Sequence, residues 1–318
     1  MKHIIFLALF LLTSILVSAK DLYSRAYGDR RNPAIIFVHG GPSGNSTLFE
    51  STTAQKLADK GFYVIVYDRR GEGRSIDPSA AFTYTEAFND LNGILQLYKI
   101  NKATLIGHSF GGLVATLFTE RFPERVNALI LAGALVSQQE TYDHILSSLK
   151  RRNKNNRHNS LLKKISKIEQ LDKNSADYRK ACYELASLNH YFEMPFPTEQ
   201  SKELRDNYAS SVFYKQNIRN ENAPALFYKN ETLRNINTKN TLAKLKTQTS
   251  IFAIYGKQDG IFSPKQLQDI KNIVTPNNFA LIDNCSHYLF VDQQTEFIDR
   301  LTNWIQLCSM GIQQRLSK

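Results

Sequence analysis

Ser109 lies in a stretch of sequence whose residue types and spacing indicate nucleophilic chemistry. Residues 107–111 form the pattern G-x-S-x-G, between an apolar run that predicts a buried strand (103–106) and a predicted helix (113–122). A serine on a sharp turn between a strand and a helix needs very small neighbours two residues away on either side, and both are glycine. The helix N-terminus also favours negative charge that develops at the serine. The pattern therefore predicts a nucleophile at position 109.

A serine nucleophile needs a base, because its hydroxyl is weakly nucleophilic at neutral pH. The candidate base is His287, and the candidate acid that fixes its tautomer and stabilises the imidazolium is Asp259. Asp283, just upstream of His287, is a rival acid, but Asp259 follows its own predicted strand between the serine and the histidine. Four other histidines compete for the role of base: His39, His108, His158 and His190. We expect those that flank glycine or the nucleophile, His39 and His108, to pack loops.

These residues are far apart in sequence, so a scaffold must bring them together. Continuous apolar runs predict buried strands, and segments with helical spacing predict helices between them. The predicted strands after a possible edge strand (21–28) are 34–38, 62–67, 103–106, 126–131, 250–255 and 279–282. The predicted helices include 51–60, 83–98, 113–122, one that begins at Pro264, and 295–307. This alternation predicts an α/β domain with a mostly parallel sheet flanked by helices, whose carboxyl edge would collect the three site residues.

Residues 137–247 interrupt the alternation with a polar, helix-like stretch. The stretch contains 20 Lys and Arg against 12 Asp and Glu, so it carries most of the formal net charge of +11. Its most basic run, 150–157, predicts a solvated surface loop, with contact to an anionic surface as the alternative. We therefore expect one α/β core built from 20–136 and 248–318, with 137–247 inserted as a helical cap.

The sequence contains five recognisable motifs: H-G-G-P (39–42), D-R-R-G-E-G-R-S (68–75), G-H-S-F-G-G (107–112), G-K-Q-D (256–259) and S-H (286–287). Together these motifs resemble the α/β hydrolases of the prolyl iminopeptidase-like branch, which are serine aminopeptidases. The resemblance implies the α/β-hydrolase fold, in which the triad follows the chain order Ser109, Asp259, His287. It implies an oxyanion hole formed by the N–H groups of Gly41 and Phe110, and hydrolysis through an acyl-enzyme without metal or cofactor.

The cap departs from this branch at the residues that the resemblance implies for substrate binding. In the family a glutamate that binds the substrate's free amine directly precedes an N-H-Y-F run, whereas here Leu188 precedes that run. A basic cap repels a cationic amine, so an aminopeptidase needs a local carboxylate. Glu193 is the acid nearest to the run, with Glu184 next, and a solvated loop charge is the alternative role for Glu193. Ester hydrolysis by the same fold is the alternative activity, and a non-catalytic binding protein is the alternative of a different class.

The N-terminal segment predicts export. Lys2 precedes an apolar run (4–17) that ends in V-S-A at 17–19, the pattern of a secretory signal peptide cleaved before Lys20. The run is shorter than the ~20 apolar residues that a spanning helix needs. We therefore expect cleavage of residues 1–19, no stable membrane span in the mature chain, and a secreted or periplasmic location.

Composition excludes several other classes of protein. A hydrophobic content of 42% and an aromatic content of 11% indicate a sizeable core rather than a disordered chain. The positive charge is not accompanied by an RNP, zinc-finger or helix-turn-helix pattern, so we expect no nucleic-acid partner. Cys182, Cys285 and Cys308 allow one disulfide and suggest no metal site. The expected partner is a small-molecule or short-peptide substrate.

Overall fold

The computed structural model describes residues 22–155 and 160–316, with side chains up to residue 308. The predicted signal peptide and His158 lie outside the described residues. A seven-stranded sheet has the strand order β1-β3-β2-β4-β5-β6-β7. The first strand pairs antiparallel with the third and all other pairings are parallel, which confirms the predicted sheet. The strands are β1 (Ser24–Tyr27), β2 (Ala34–Val38), β3 (Tyr63–Tyr67), β4 (Ala103–His108), β5 (Val126–Ala132), β6 (Ser250–Gly256) and β7 (Phe279–Ile282).

The central strands are buried on both faces, because successive side chains enter two different cores. In β2, Ile36 and Val38 belong to the core on one face of the sheet, whereas Ile35 and Phe37 belong to the core on the other. This double burial explains why the strands are continuous apolar runs in the sequence and not alternating ones.

Helices cover both faces of the sheet, as predicted. A π-helical stretch, Glu50–Ala54, joins the first two helices into one helical segment. The helices outside the cap region are α1 (Thr47–Phe49), α2 (Gln55–Asp59), α3 (Tyr84–Leu97), α4 (Phe110–Arg121), and, after the cap region, α12 (Pro264–Val274), α13 (Leu289–Asp292) and α14 (Gln294–Leu316). Apolar residues of α3, α4 and α12 pack in the first core, and those of α2, α13 and α14 pack in the second.

The cap region leaves the sheet after β5 and returns before β6. Its two crossings are hydrogen-bonded to each other: Thr238 N–H donates to Val136 O at 2.8 Å, and Gln138 N–H donates to Ile236 O at 3.0 Å. Its helices are α5 (Gln138–Asn153), α6 (Ser160–Ile168), α7 (Ala176–Leu188), α8 (Glu199–Ala209), α9 (Val212–Lys215), α10 (Ala223–Asn230) and α11 (Lys239–Leu245). The last of these packs against α4 and α12, helices that flank the sheet. Across 22–155 and 160–316, no helix has the length and apolar character required to cross a membrane.

Candidate active site

Ser109 occupies a strained turn between β4 and α4. Its backbone has φ 53° and ψ −123°, a region that non-glycine residues rarely adopt. A Cβ added to Gly107 would lie 2.7 Å from Gly112 Cα, and one added to Gly111 would lie 2.1 Å from Val38 O. Both positions therefore require glycine, for the reason that the sequence pattern suggested. The turn exposes Ser109 at the carboxyl edge of the sheet.

The structure brings His287 and Asp259 together at the same edge. The Nδ1 atom of His287 lies 2.7 Å from Asp259 Oδ2, and both side chains are buried. Asp259 Oδ1 accepts a hydrogen bond from the Ile261 N–H at 3.3 Å, which helps to hold the carboxylate in place. A carboxylate at Nδ1 fixes the proton on that nitrogen and leaves Nε2 able to accept one. The pair thus has the arrangement of a general base and its orienting acid.

Asp283, the rival acid, lies away from His287. Its carboxylate accepts hydrogen bonds from Gln258 Nε2 at 2.8 Å and Lys257 Nζ at 3.0 Å on an exposed surface. The Gln258 hydrogen bond, with a contribution from Lys257, lowers the pKa of Asp283 to about 2. The geometry therefore assigns Asp283 to a surface cluster and places Asp259 beside the histidine.

Two other histidines pack the loops around the site. His39 Nε2 accepts from the Arg69 N–H at 3.0 Å, so its Nδ1–H donates to Gly40 O at 2.7 Å. His108 donates from Nε2 to His287 O at 3.0 Å and so supports the backbone of the candidate base. Burial lowers the pKa of each ring to about 3, which keeps both neutral. His190 is exposed and contacts Glu193.

The predicted oxyanion donors, Gly41 and Phe110, line one cavity together with Ser109 and His287. Phe110 is the first residue of α4, where backbone N–H groups have no acceptor within the helix. Gly41 has φ 144°, and a Cβ there would lie 2.7 Å from Arg69 Nη2 and 2.8 Å from Glu72 Oε2. The loop after β2 therefore requires glycine at this position.

A buried ion pair that sequence reasoning did not assign holds this loop. Arg69 Nε lies 2.9 Å from Glu72 Oε1, and the Arg69 guanidinium also donates to the carbonyls of His39 and Gly40. Glu72 Oε2 accepts from the Ser43 N–H at 2.7 Å and more weakly from the Gly44 N–H at 3.2 Å. The pair fixes both the start and the end of the loop that carries Gly41. The only signal in the sequence was the charged, glycine-rich run 68–75 directly after a buried strand.

The cavity has a volume of about 530 Å³ and lies between the sheet edge and the cap region. Glu193 lines it, but its side chain is 60% exposed and accepts from His190 Nδ1 at 2.9 Å. Leu188, which occupies the position of the family's glutamate, is 67% exposed. A carboxylate at Glu193 is thus within the cavity wall and accessible from solvent.

Neither a metal cluster nor a disulfide is found in the part of the chain that the structure describes. No group of three or more His, Cys, Asp or Glu side chains there has the arrangement of a metal site. Cys182, Cys285 and Cys308 are free thiols.

Sequence comparison identifies relatives along most of the chain. A proline iminopeptidase from Lactobacillus helveticus is 23% identical over 300 residues, which cover 90% of this chain and 94% of that protein. An uncharacterized protein from Mycobacterium tuberculosis is 39% identical over 102 residues, 32% of this chain. That match spans only 29% of the length of the mycobacterial relative.

Solved structures share the fold. The proline iminopeptidase-related protein from Thermus thermophilus has a TM-score of 0.64 at 20% identity, with 90% of this chain and 93% of that chain covered. An esterase from Exiguobacterium antarcticum has a TM-score of 0.57 at 19% identity, with coverage of 90% and 95%. A family model described as alpha/beta hydrolase fold matches residues 33–294. Because that match covers most of the sequence, the chain belongs to the α/β hydrolase fold family.

Proposed function

We propose that the protein is a serine hydrolase in which Ser109, His287 and Asp259 form the catalytic triad. The observation that carries the proposal is the 2.7 Å contact between buried His287 and Asp259, at a cavity that Ser109 also lines. The Ser109 hydroxyl transfers its proton to His287 Nε2 as Oγ attacks the substrate carbonyl. The leaving group departs with that proton and leaves an acyl-enzyme. Water, deprotonated by the same imidazole, then releases the acid and restores the serine.

The N–H groups of Gly41 and Phe110 stabilise the negative oxygen of each tetrahedral intermediate. Such donors act on charge that develops only in the transition state, and the loss of one typically costs about 3 kcal/mol. In this proposal the buried Arg69–Glu72 pair is a positioning element, because it contacts the loop and does not line the cavity.

Covalent labelling tests the proposed function directly. A fluorophosphonate probe should label the purified protein once, at Ser109, and prior denaturation should abolish the labelling. A folded protein that the probe leaves unmodified would indicate the alternative class, a binding protein that retains the fold without the reaction.

For the substrate, we propose first a short peptide or arylamide with a free N-terminal amine, as in the prolyl iminopeptidase-like branch. The full-length similarity to a proline iminopeptidase supports this choice. Ester hydrolysis is the second candidate, because three of the four acids that line the cavity, Glu184, Glu193 and Glu231, already have partners. Glu184 lies 4.0 Å from Lys180, Glu193 contacts His190, and Glu231 accepts hydrogen bonds from three backbone N–H groups.

We also propose that 137–247 acts as a cap that confines the substrate over the triad.

The Glu193→Gln variant separates the two candidates. If Glu193 binds the amine, the KM for a prolyl arylamide should rise roughly tenfold, because a charge-assisted hydrogen bond is lost. Hydrolysis of an uncharged 4-nitrophenyl ester should stay within about twofold, since that substrate makes no such bond. Glu199→Gln is the matched control, because Glu199 is an exposed cap glutamate whose partner is Lys202. Equal changes in KM for the arylamide and for the ester would contradict the role proposed for Glu193.

We further propose that the protein is exported and that its first 19 residues are removed, on the pattern of residues 2–19. N-terminal sequencing of the exported protein should begin at Lys20. A chain that retains Met1 and sediments with membranes would support an uncleaved anchor instead.

A further inference from the structure

Arg179 is a cation buried in the cap wall of the catalytic cavity. It lies on α7, is 8% exposed, and lines the cavity that contains Ser109 and His287. Its guanidinium carbon lies 4.4 Å from the centre of the Tyr228 ring and 5.5 Å from that of Tyr142. One terminal nitrogen donates to Asn235 Oδ1. These contacts fix the orientation of the guanidinium but do not neutralise it.

The charge of Arg179 lacks a counterion within the described residues. No carboxylate among 22–155 and 160–308 lies within 4.0 Å of its nitrogen atoms, although nineteen other ion pairs meet that criterion. The Nε atom is buried and has no hydrogen-bond partner. A buried charge without an anion is costly, so such groups are normally paired. The protein therefore maintains an unsatisfied cationic donor in its cavity wall.

The groups around Arg179 add hydrogen-bond donors and positive charge instead of a counterion. The Tyr228 hydroxyl, also in the cavity lining, is buried without a partner. Arg234 lies on the same ring, with its guanidinium carbon 5.3 Å from the ring centre. Glu231, a buried acid of this wall, is occupied: Oε2 accepts from the Tyr84 N–H at 2.8 Å and Oε1 from the N–H groups of the next two residues. The groups that contact Arg179 and Tyr228 thus add hydrogen-bond donors and positive charge, and the buried carboxylate of this wall, Glu231, is already occupied.

We propose that Arg179 and Tyr228 form a carboxylate-binding subsite, and that the substrate carries a carboxylate in addition to the bond that is cleaved. The inference rests on the proposed hydrolase function and deepens it by naming the substrate class. A guanidinium suits this role because its planar N–H donors match carboxylate geometry. A substrate carboxylate would satisfy the orphan Nε, and the Tyr228 hydroxyl would donate to the same anion. The subsite accommodates a peptide with a free C-terminus as well as an ester of a dicarboxylic acid.

Matched esters test the subsite. One pair places the carboxylate in the acyl half: mono-4-nitrophenyl glutarate against the corresponding glutaramic ester. The other places it in the leaving group: the butyryl ester of 4-hydroxybenzoate against that of 4-hydroxybenzamide. In at least one pair the wild-type enzyme should prefer the acid. Arg179→Gln should lower kcat/KM for that acid by about 10- to 100-fold, because a hydrogen bond to a charged group is lost. The same substitution should change kcat/KM for the matched amide by less than about threefold.

Lys180→Gln is the matched control. Lys180 is adjacent on the same helix and lines the same cavity, but its side chain is exposed and lies near Glu184. This substitution removes the same charge from the same helix. If it lowers kcat/KM for the acid ester as much as Arg179→Gln does, the proposal is overturned, because the preference would then come from the overall positive charge of the cap. Equal losses on acid and amide esters would also overturn it, because they would show that Arg179 acts through the structure of the cap.

Two further measurements keep the proposal testable if Arg179→Gln misfolds or if no ester is cleaved. Tyr228→Phe removes only a hydroxyl and should lower kcat/KM for the acid substrate while leaving that for the matched amide unchanged. Calorimetry on folded Ser109→Ala protein should show binding of glutarate but not of glutaramide, independently of catalysis. Absence of glutarate binding overturns the subsite, whereas absence of fluorophosphonate labelling in the wild type overturns the hydrolase function alone.

Discussion

Replacement of Ser109 by alanine is expected to reduce kcat by about 10⁶-fold, and replacement of His287 by alanine should cost about as much. In the proposed triad the two residues act as one unit, since without the base the hydroxyl stays protonated and without the hydroxyl the base has no proton to accept. The Ser109→Ala/His287→Ala double variant should therefore be hardly worse than either single variant. Steady-state kinetics on one ester substrate, with folding checked by circular dichroism, measures all three.

The two aspartates that the sequence offers as the acid supply an internal control. Asp259→Asn should lower kcat by about 10⁴-fold, because an amide in that position stabilises the wrong imidazole tautomer. Asp283→Asn makes the same chemical change on the exposed surface cluster with Lys257 and should leave activity within about twofold. If Ser109→Ala kept more than about a tenth of the wild-type kcat, a deficit below 1.4 kcal/mol, the triad assignment would be wrong.

The second large effect is expected at the buried Arg69–Glu72 pair. Glu72→Gln leaves the Arg69 guanidinium buried with its counterion removed, and such a change typically costs about 3–5 kcal/mol of unfolding free energy. The Gln amide keeps one acceptor oxygen and turns an N–H₂ donor either toward the Arg69 guanidinium or toward the Ser43 and Gly44 N–H groups, so the loop that carries Gly41 is held less well. We therefore expect urea unfolding at lower concentration and, in protein that remains folded, a lower kcat with a nearly unchanged KM.

The double variant Arg69→Met/Glu72→Leu separates the effect of the ion pair on protein stability from its effect on the position of the Gly41 loop. Removing both charges should recover much of the stability, because no unpaired charge remains. It should not restore kcat, because the guanidinium bonds to His39 O and Gly40 O are also gone. The exposed pair of Lys60 and Asp299 provides the control, and Lys60→Gln should change stability by less than about 1 kcal/mol. A double variant with full activity would show that the ion pair does not position the loop.

The sequence predicted the sheet better than the helix boundaries. Strands such as β2 and β5 were recognisable because burial on both faces leaves continuous apolar runs. The helix predicted at 113–122 begins at Phe110 in the structure. The prediction started too late because glycine has a low helix propensity, whereas Gly111 and Gly112 are helical here. The predicted helix 51–60 begins at Thr47 and passes through a π-helical stretch, a rare geometry that spacing alone does not indicate.

The site was predictable to the extent that its chemistry follows local patterns. Ser109 and its glycine neighbours are a contiguous motif, and His287 and Asp259 each follow a strand. The Arg69–Glu72 pair holds a loop that lies 30 residues upstream, and Arg179 meets Asn235 across two cap segments, so only tertiary structure reveals these contacts. Whether a charged residue lacks a counterion is likewise a property of three-dimensional packing.

The paired crossings of the cap region have a consequence for the evolution of this fold. Because Val136 and Thr238 are hydrogen-bonded neighbours, the polypeptide enters and leaves the segment 137–237 at almost the same point. An insertion or a deletion between them changes no strand register. The segment also contacts two site loops, because the Gly260 N–H donates to Tyr191 O at 2.8 Å and Ser286 Oγ donates to Phe192 O at 2.9 Å. Lineages can therefore exchange or reshape the parts of the insert that lie away from these two contacts without disturbing the sheet.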